Sequence, residues 1–394
     1  MEAHFLSSSR SICDFRGRWN IRLAMSNLTE SHAAPLFRPF SIKNLVLSNR
    51  IVMAPMTRSK SPGGIPGPEV AAYYRRRAEG GVGLIITEGT YVPHPAAGVY
   101  PDVPHFYGEQ SLAGWKRVVE EVHRVGGKIF PQLWHVGLAP GSGGTFAPGA
   151  MGPSGLAKPG VKITDPMTQR DIDDVVRAFG EAARSAELLG FDGLEIHGAH
   201  GYLLDQFFWD GTNQRADGYG GDLAARTRFA VEVIREVRSN VSPDFPVCLR
   251  FSQWKLQDYN ARLAQSPAQL ERFLAPLSEA GVDLFHCSQR RFWEPEFEGT
   301  SLNLAGWTKK LTGKPTITVG SISLNEEFTQ TFRSAETAEV TGIDELLERL
   351  EREEFDLVAI GRSLIVNPAW PALVQRGAVD ELLPYQRDVL GQLV

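Results

Sequence analysis

Between Arg50 and Ile360 the chain repeats one arrangement: a short, almost continuously apolar run, then a stretch of helical period. The runs are Arg50–Pro55, Gly83–Glu88, Lys128–Trp134, Phe191–Ile196, Pro246–Phe251, Val282–Cys287, Pro315–Val319 and Phe355–Ile360. Strands this short and this apolar suit a parallel sheet covered on both faces. Eight of them close a (β/α)8 barrel, a fold that reaches about 400 residues with insertions, and the chain has 394. An open doubly wound sheet would need a glycine-rich dinucleotide turn after its first strand, and Met53–Lys60 contains no GxGxxG. The sequence therefore predicts an α/β fold, a single (β/α)8 TIM barrel with long active-site loops.

The helices carry their own punctuation. Pro68 opens the first, which runs to Ala78, and Ser111–Val125 forms the second. Thr168–Leu189 is the clearest: Thr168 and Asp171 make a capping box, Ile172, Val175, Val176 and Phe179 share a face, and Gly190 stops it. From His135 to about Asp165 lies a glycine- and proline-rich segment, which is expected to be a binding loop. No shift in composition divides the chain, so residues 31–394 are expected to form one barrel domain. Residues 1–30 are expected to be a disordered extension. Arg10, Arg16, Arg18 and Arg22 among serines resemble a weak transit peptide, but the preferred reading starts translation at Met25.

Composition narrows the function class. A net charge of −5 gives no electrostatic case for nucleic acid. No apolar run approaches the ~18 residues of a membrane helix. Cys13, Cys248 and Cys287 lie far apart without any CxxC, which argues against zinc, iron–sulfur clusters and a disulfide scaffold and fits a cytoplasmic protein.

In barrels of this kind chemistry gathers where the strands end. There the sequence places Pro55, Met56 and Thr57, then Gly89, Gln132, His197 with His200, Arg250, Gly320, and Gly361 with Arg362. Gly320 and Gly361 either turn the chain or let backbone N–H groups approach an anion, and Arg362 beside them favours phosphate. Arg250 would be costly inside an apolar strand without a partner, either Glu195 or an anionic ligand. Gln132 offers an amide that can read the edge of a heterocycle. Three readings are open for His197, His200 and Tyr202: hydrogen-bonded structural histidines, a metal site with Asp205 or Glu195 as third ligand, or imidazoles polarising a carbonyl while Tyr202 supplies a proton.

Several segments resemble the Old Yellow Enzyme family of FMN-dependent ene-reductases over nearly all of Leu36–Arg387. They are NRIVMAPMTRS (Asn49–Ser59), YYRRRA (Tyr73–Ala78), LIITEGTYV (Leu84–Val92), IFPQLWHVG (Ile129–Gly137), FDGLEIHGAHGYLLDQFF (Phe191–Phe208), NQRADGYGG (Asn213–Gly221) and GRSLIVNPAW (Gly361–Trp370). The resemblance implies that Pro55, Met56 and Thr57 lie against FMN, with Thr57 bonded to a ring carbonyl, and that Gly89 and Gln132 meet its polar edge. It implies that Arg250 stabilises the anionic reduced flavin and that Gly320, Gly361 and Arg362 hold the phosphate. His197 and His200 would bind the substrate oxygen and Tyr202 would protonate the α-carbon. The implied activity is ping-pong reduction of the C=C bond of α,β-unsaturated carbonyl compounds by NADPH or NADH, in a monomer or homodimer. The alternative is a metal-dependent barrel hydrolase using His197 and His200.

The chain departs from the family pattern in three places. Asp222–Arg226 keeps the arginine but lacks the usual Glu-Asn before it. Glu326–Thr341 looks like an insertion. The aromatic residue that caps the active site from the C-terminus has no secure counterpart, with Tyr385, Leu390 and Trp370 as candidates.

Overall fold

The computed structural model describes residues 32–327 and 337–394. The expected extension over residues 1–30 lies outside them, as do residues 328–336 of the expected insertion. Eight parallel strands form a closed barrel: β1 (Ile51–Met53), β2 (Leu84–Tyr91), β3 (Ile129–Trp134), β4 (Leu194–His200), β5 (Val247–Lys255), β6 (Leu284–Ser288), β7 (Thr316–Val319) and β8 (Leu357–Ile360), each beside its neighbours in sequence and β8 beside β1. The intervening helices are α1 (Pro68–Glu79), α2 (Glu109–Arg124), α3 (Gln169–Leu188), α4 (Arg228–Ser239), α5 (Pro267–Glu279), α6 (Leu304–Thr312) and α7 (Asp344–Glu351). The predicted (β/α)8 barrel is the observed fold.

Two cores result. Apolar helix faces pack on the outside of the strands, while Val52, Leu84, Phe130, Cys248, Leu284, Ile317 and Leu357 fill the barrel itself. A hairpin, Phe40–Ile42 against Leu45–Leu47, adds Leu45 and Leu47 to that inner filling. Lys43 in its turn bonds Pro243 and pairs with Asp283, both just ahead of strands, so the hairpin plugs the N-terminal mouth. The polar chemistry is left to the other end.

Local signals held where they were strong. The Thr168–Asp171 capping box opens α3 as expected. Two strands outrun their apolar runs: β4 continues through His200 and β5 through Lys255. The segment after β3 is less irregular than expected, since Leu156–Lys158 and Val161–Lys162 pair as a small hairpin. Arg226 compensates the altered sequence around it by donating to the carbonyls of Phe208 and Gly221. Among the described residues no helix is long and apolar enough to cross a membrane.

Candidate active site

The C-terminal ends of parallel strands face one way, so the strand-end residues singled out from the sequence lie toward a single mouth. β4 contributes most. Beyond Gly198 its pairing with β5 slips, and His200 and Gly201 take positive φ angles of 67° and 82°. A non-glycine residue there is uncommon, and it needs outside support. Gly201 N–H donates to Asp205 Oδ2 at 2.7 Å, and His200 N–H donates to Ser252 Oγ at 3.0 Å. Asp205 in turn accepts from Lys255 Nζ at 2.8 Å, with both side chains fully buried. This turn ends at Tyr202, which caps the short helix Leu203–Phe208.

The three rings therefore meet. His197 lies edge-on to His200 at 5.3 Å and to Tyr202 at 4.9 Å between ring centres, and stacks on Trp134 at 5.9 Å. His200 stacks on Trp254 at 4.5 Å, and its Nε2 stands 2.7 Å from Ser288 Oγ. Burial, with Arg250 next in weight, pushes both imidazoles well below the usual histidine range and keeps them neutral. Burial likewise raises the Tyr202 phenol, which is hydrogen-bonded to Tyr100 and meets Trp134 edge-on at 4.8 Å. The site thus holds two neutral imidazoles and a protonated phenol. A metal centre would require a third ligand, and among the described residues no group of three His, Cys, Asp or Glu side chains is placed to hold an ion.

Arg250 is buried without the partner proposed for it from the sequence. Both oxygens of Glu195 are engaged elsewhere, by Gln132 Nε2 and His286 Nδ1 at 2.7 Å each. Arg250 reaches only Ser288 Oγ, at 3.5 Å, and its Nε meets no acceptor among the described residues. A buried, under-used guanidinium beside Gln132 fits an acceptor-bearing ligand edge. Gly89 stands next to them, where a Cβ would lie 2.5 Å from Trp134 Cε3 and 3.3 Å from Gln132 Oε1.

Pro55 and Met56 are half-buried after β1 and Thr57 is exposed. Their loop is fastened by Glu88, whose Oε2 accepts from the Arg58 and Ser59 N–H groups. Burial lifts the Glu88 carboxyl to about 7. On the far side Gly320 has φ 149°, and a Cβ there would lie 2.8 Å from the Gln289 carbonyl. Gly361 precedes α8 (Arg362–Val366), a helix of only five residues, so the dipole expected behind an anion is a single turn. Arg362 donates to the carbonyls of Glu326 and Glu327 and lies over the Tyr385 ring. Trp370 is fully buried and bonded to Ser323, which removes it as a lid.

Sequence reasoning missed that Glu195 serves Gln132 and His286, and it missed Ser288 on β6, Trp134, Tyr100 and the Asp205–Lys255 pair. One signal was present: His286 interrupts the apolar run VDLFHC just as Arg250 interrupts PVCLRF.

The residues fit FMN. A buried guanidinium with one long hydrogen bond and a fixed amide sit beside a glycine whose Cβ would clash, with two further glycines and an arginine across the mouth. Comparison with known proteins agrees. The sequence model of the NADH:flavin oxidoreductase / NADH oxidase family matches residues 35–381. A putative 12-oxophytodienoate reductase 2 of Oryza sativa subsp. japonica is 37% identical, with 88% of each chain covered. An NADH oxidase of Thermoanaerobacter brockii is 34% identical over 89% of this chain and 52% of that longer protein. A structure of morphinone reductase in complex with tetrahydroNAD superposes with a TM-score of 0.74 at 28% identity, covering 90% of this chain and 93% of the other. The chain belongs to the NADH:flavin oxidoreductase / NADH oxidase family, that of Old Yellow Enzyme, and is an FMN-dependent oxidoreductase.

Proposed function

We propose that this enzyme reduces the C=C bond of α,β-unsaturated carbonyl compounds in two alternating half-reactions, with NADH or NADPH as reductant. Pro55, Met56, Thr57, Gly89, Gln132 and Arg250 would hold the flavin ring, and Gly320, Gly361 and Arg362 its phosphate. Bound FMN supplies the hydride, taken from the nicotinamide in one half-reaction and given to the substrate's β-carbon in the other.

The remaining work falls to side chains on β4 and the turn that follows it. The carbonyl oxygen of the substrate gains negative charge as hydride arrives, so a fixed neutral N–H donor from His197 or His200 stabilises that charge more than it does the ground state. Tyr202 supplies the proton to the α-carbon. The carrying observation is the ring cluster itself, in which a phenol kept protonated by burial stands 4.9 Å from an imidazole kept neutral by burial.

Tyr202→Phe tests the reading. Loss of a general acid should slow alkene reduction by ~10²–10⁴-fold, while flavin bleaching by nicotinamide continues at near its normal rate. Equal loss in both half-reactions would remove Tyr202 from the role. The protein's cysteine usage supports a cytoplasmic location, and we propose a monomer or homodimer.

A further inference from the structure

The barrel interior is layered. Phe130, Cys248 and Leu284 belong to the apolar filling. Two residues further along the same strands come Gln132, Arg250 and His286, joined by Glu195 of β4, and two residues beyond these come the rim side chains His197, Ser252 and Ser288. In the middle layer Gln132 pairs in register with Glu195, and Arg250 with His286. Glu195 and His286 are fully buried, and neither enters the chemistry proposed above.

Their bonding fixes two things. An ionised carboxylate only accepts, so the Gln132 amide must turn its NH2 toward Glu195, at 2.7 Å, and its oxygen away. That oxygen points to Gly89, where a Cβ would stand 3.3 Å from it. Gln132 therefore offers the site an acceptor. His286 gives its Nδ1 to Glu195, and its buried Nε2 has no partner among the described residues. A proton on Nε2 would have nowhere to go, so the ring is neutral and the Glu195–His286 pair carries one net negative charge. Burial also pushes His286 below the usual histidine range. Burial alone would raise Glu195, but His286, Arg250 and Gln132 outweigh it and hold the carboxyl below its ordinary range.

We propose that Glu195, held by His286, is a positioning residue for the flavin: it sets the Gln132 amide with its oxygen toward the ring edge, and its charge offsets Arg250, giving the bound flavin a lower reduction potential than Arg250 alone would. This rests on the placement of that ring edge at Gln132 and Arg250. A negative charge in a buried layer disfavours any further negative charge that reduction brings to the ring.

The test uses the FMN-loaded protein and reads FMN affinity by fluorescence and midpoint potential by spectroelectrochemistry. Glu195→Gln keeps the shape and removes the charge. It should move the midpoint to more positive potential and raise the FMN Kd about five-fold, as expected for one lost fixed hydrogen bond. Should Glu195→Gln fail to fold, the pair His286→Leu and His286→Gln decides. Leucine leaves the buried carboxyl without its donor, so burial drives it to take up a proton and lose its charge; the potential should then shift in the same positive direction, whereas glutamine restores a donor and should leave the potential near the wild-type value. An unchanged potential in Glu195→Gln, or equal shifts in both His286 variants, overturns the inference. Arg250→Met separates the two levels: if it too leaves affinity and potential unmoved, the ring edge lies elsewhere. If only the Glu195 and His286 variants are silent, the placement stands and this inference fails. Alkene turnover enters none of these readings.

Discussion

Lys255 and Asp205 carry opposite charges with no exposure at all, directly behind the turn that presents His200 and Tyr202. Desolvation makes such a pair a poor source of net stability, but breaking it is costly because the surviving charge is stranded. Lys255→Met should destabilise the protein by about 3–5 kcal/mol, read in urea titration, and a loss under about 1 kcal/mol would contradict the described geometry. The sequence could not reveal the pair: its members lie 50 residues apart, and each sits among residues that look ordinary for a loop. Arg250, Gln132 and the histidines of β4 were legible for the opposite reason, since a polar side chain inside an apolar run announces itself without its partner. The identity of the partner is what folding decides, and Glu195 turned out to serve Gln132 and His286 instead of Arg250.

At the level of elements, β2 and β3 are coupled by contact as well as by hydrogen bonds. Trp134 at the end of β3 packs on Tyr91 at 5.3 Å and on Tyr100 at 5.7 Å, and Gly89 leaves it the room to do so. Gly89→Ala would force the indole aside. The expected outcome is a folded barrel that loses FMN on gel filtration, and full retention of the yellow colour would count against this packing. α3 offers a plainer case: Thr168→Ala removes its cap and should cost about 1 kcal/mol in chemical denaturation. Strand cores and caps were readable because apolar runs and capping boxes are local. The ends of β4 and β5 were not, because His200 and Lys255 pair there through a slipped register.

Across the whole molecule, buried titratable groups set the response to acid. Six histidines, namely His94, His105, His135, His197, His200 and His286, are held below the ordinary value of 6.5, chiefly by burial. Below that pH the unfolded chain binds protons on them that the native state refuses, so stability falls as pH falls. Glu88 and Glu296, raised to about 7, and Asp205, raised to about 6, act in the opposite sense because the native state holds their protons. Six groups outweigh three, and the melting temperature should drop between about pH 6.5 and 5. A rise over that interval would show that the imidazoles are not enclosed as described. The plugged N-terminal mouth has a kinetic consequence. Leu45 and Leu47 stop the barrel from below, so under the proposed function reductant and alkene would both reach the dye from above, through the same doorway. Each visitor is then an obstruction to the other: steady-state plots at several fixed low alkene concentrations should run parallel, and at excess alkene their slope should rise as turnover slows at low nicotinamide.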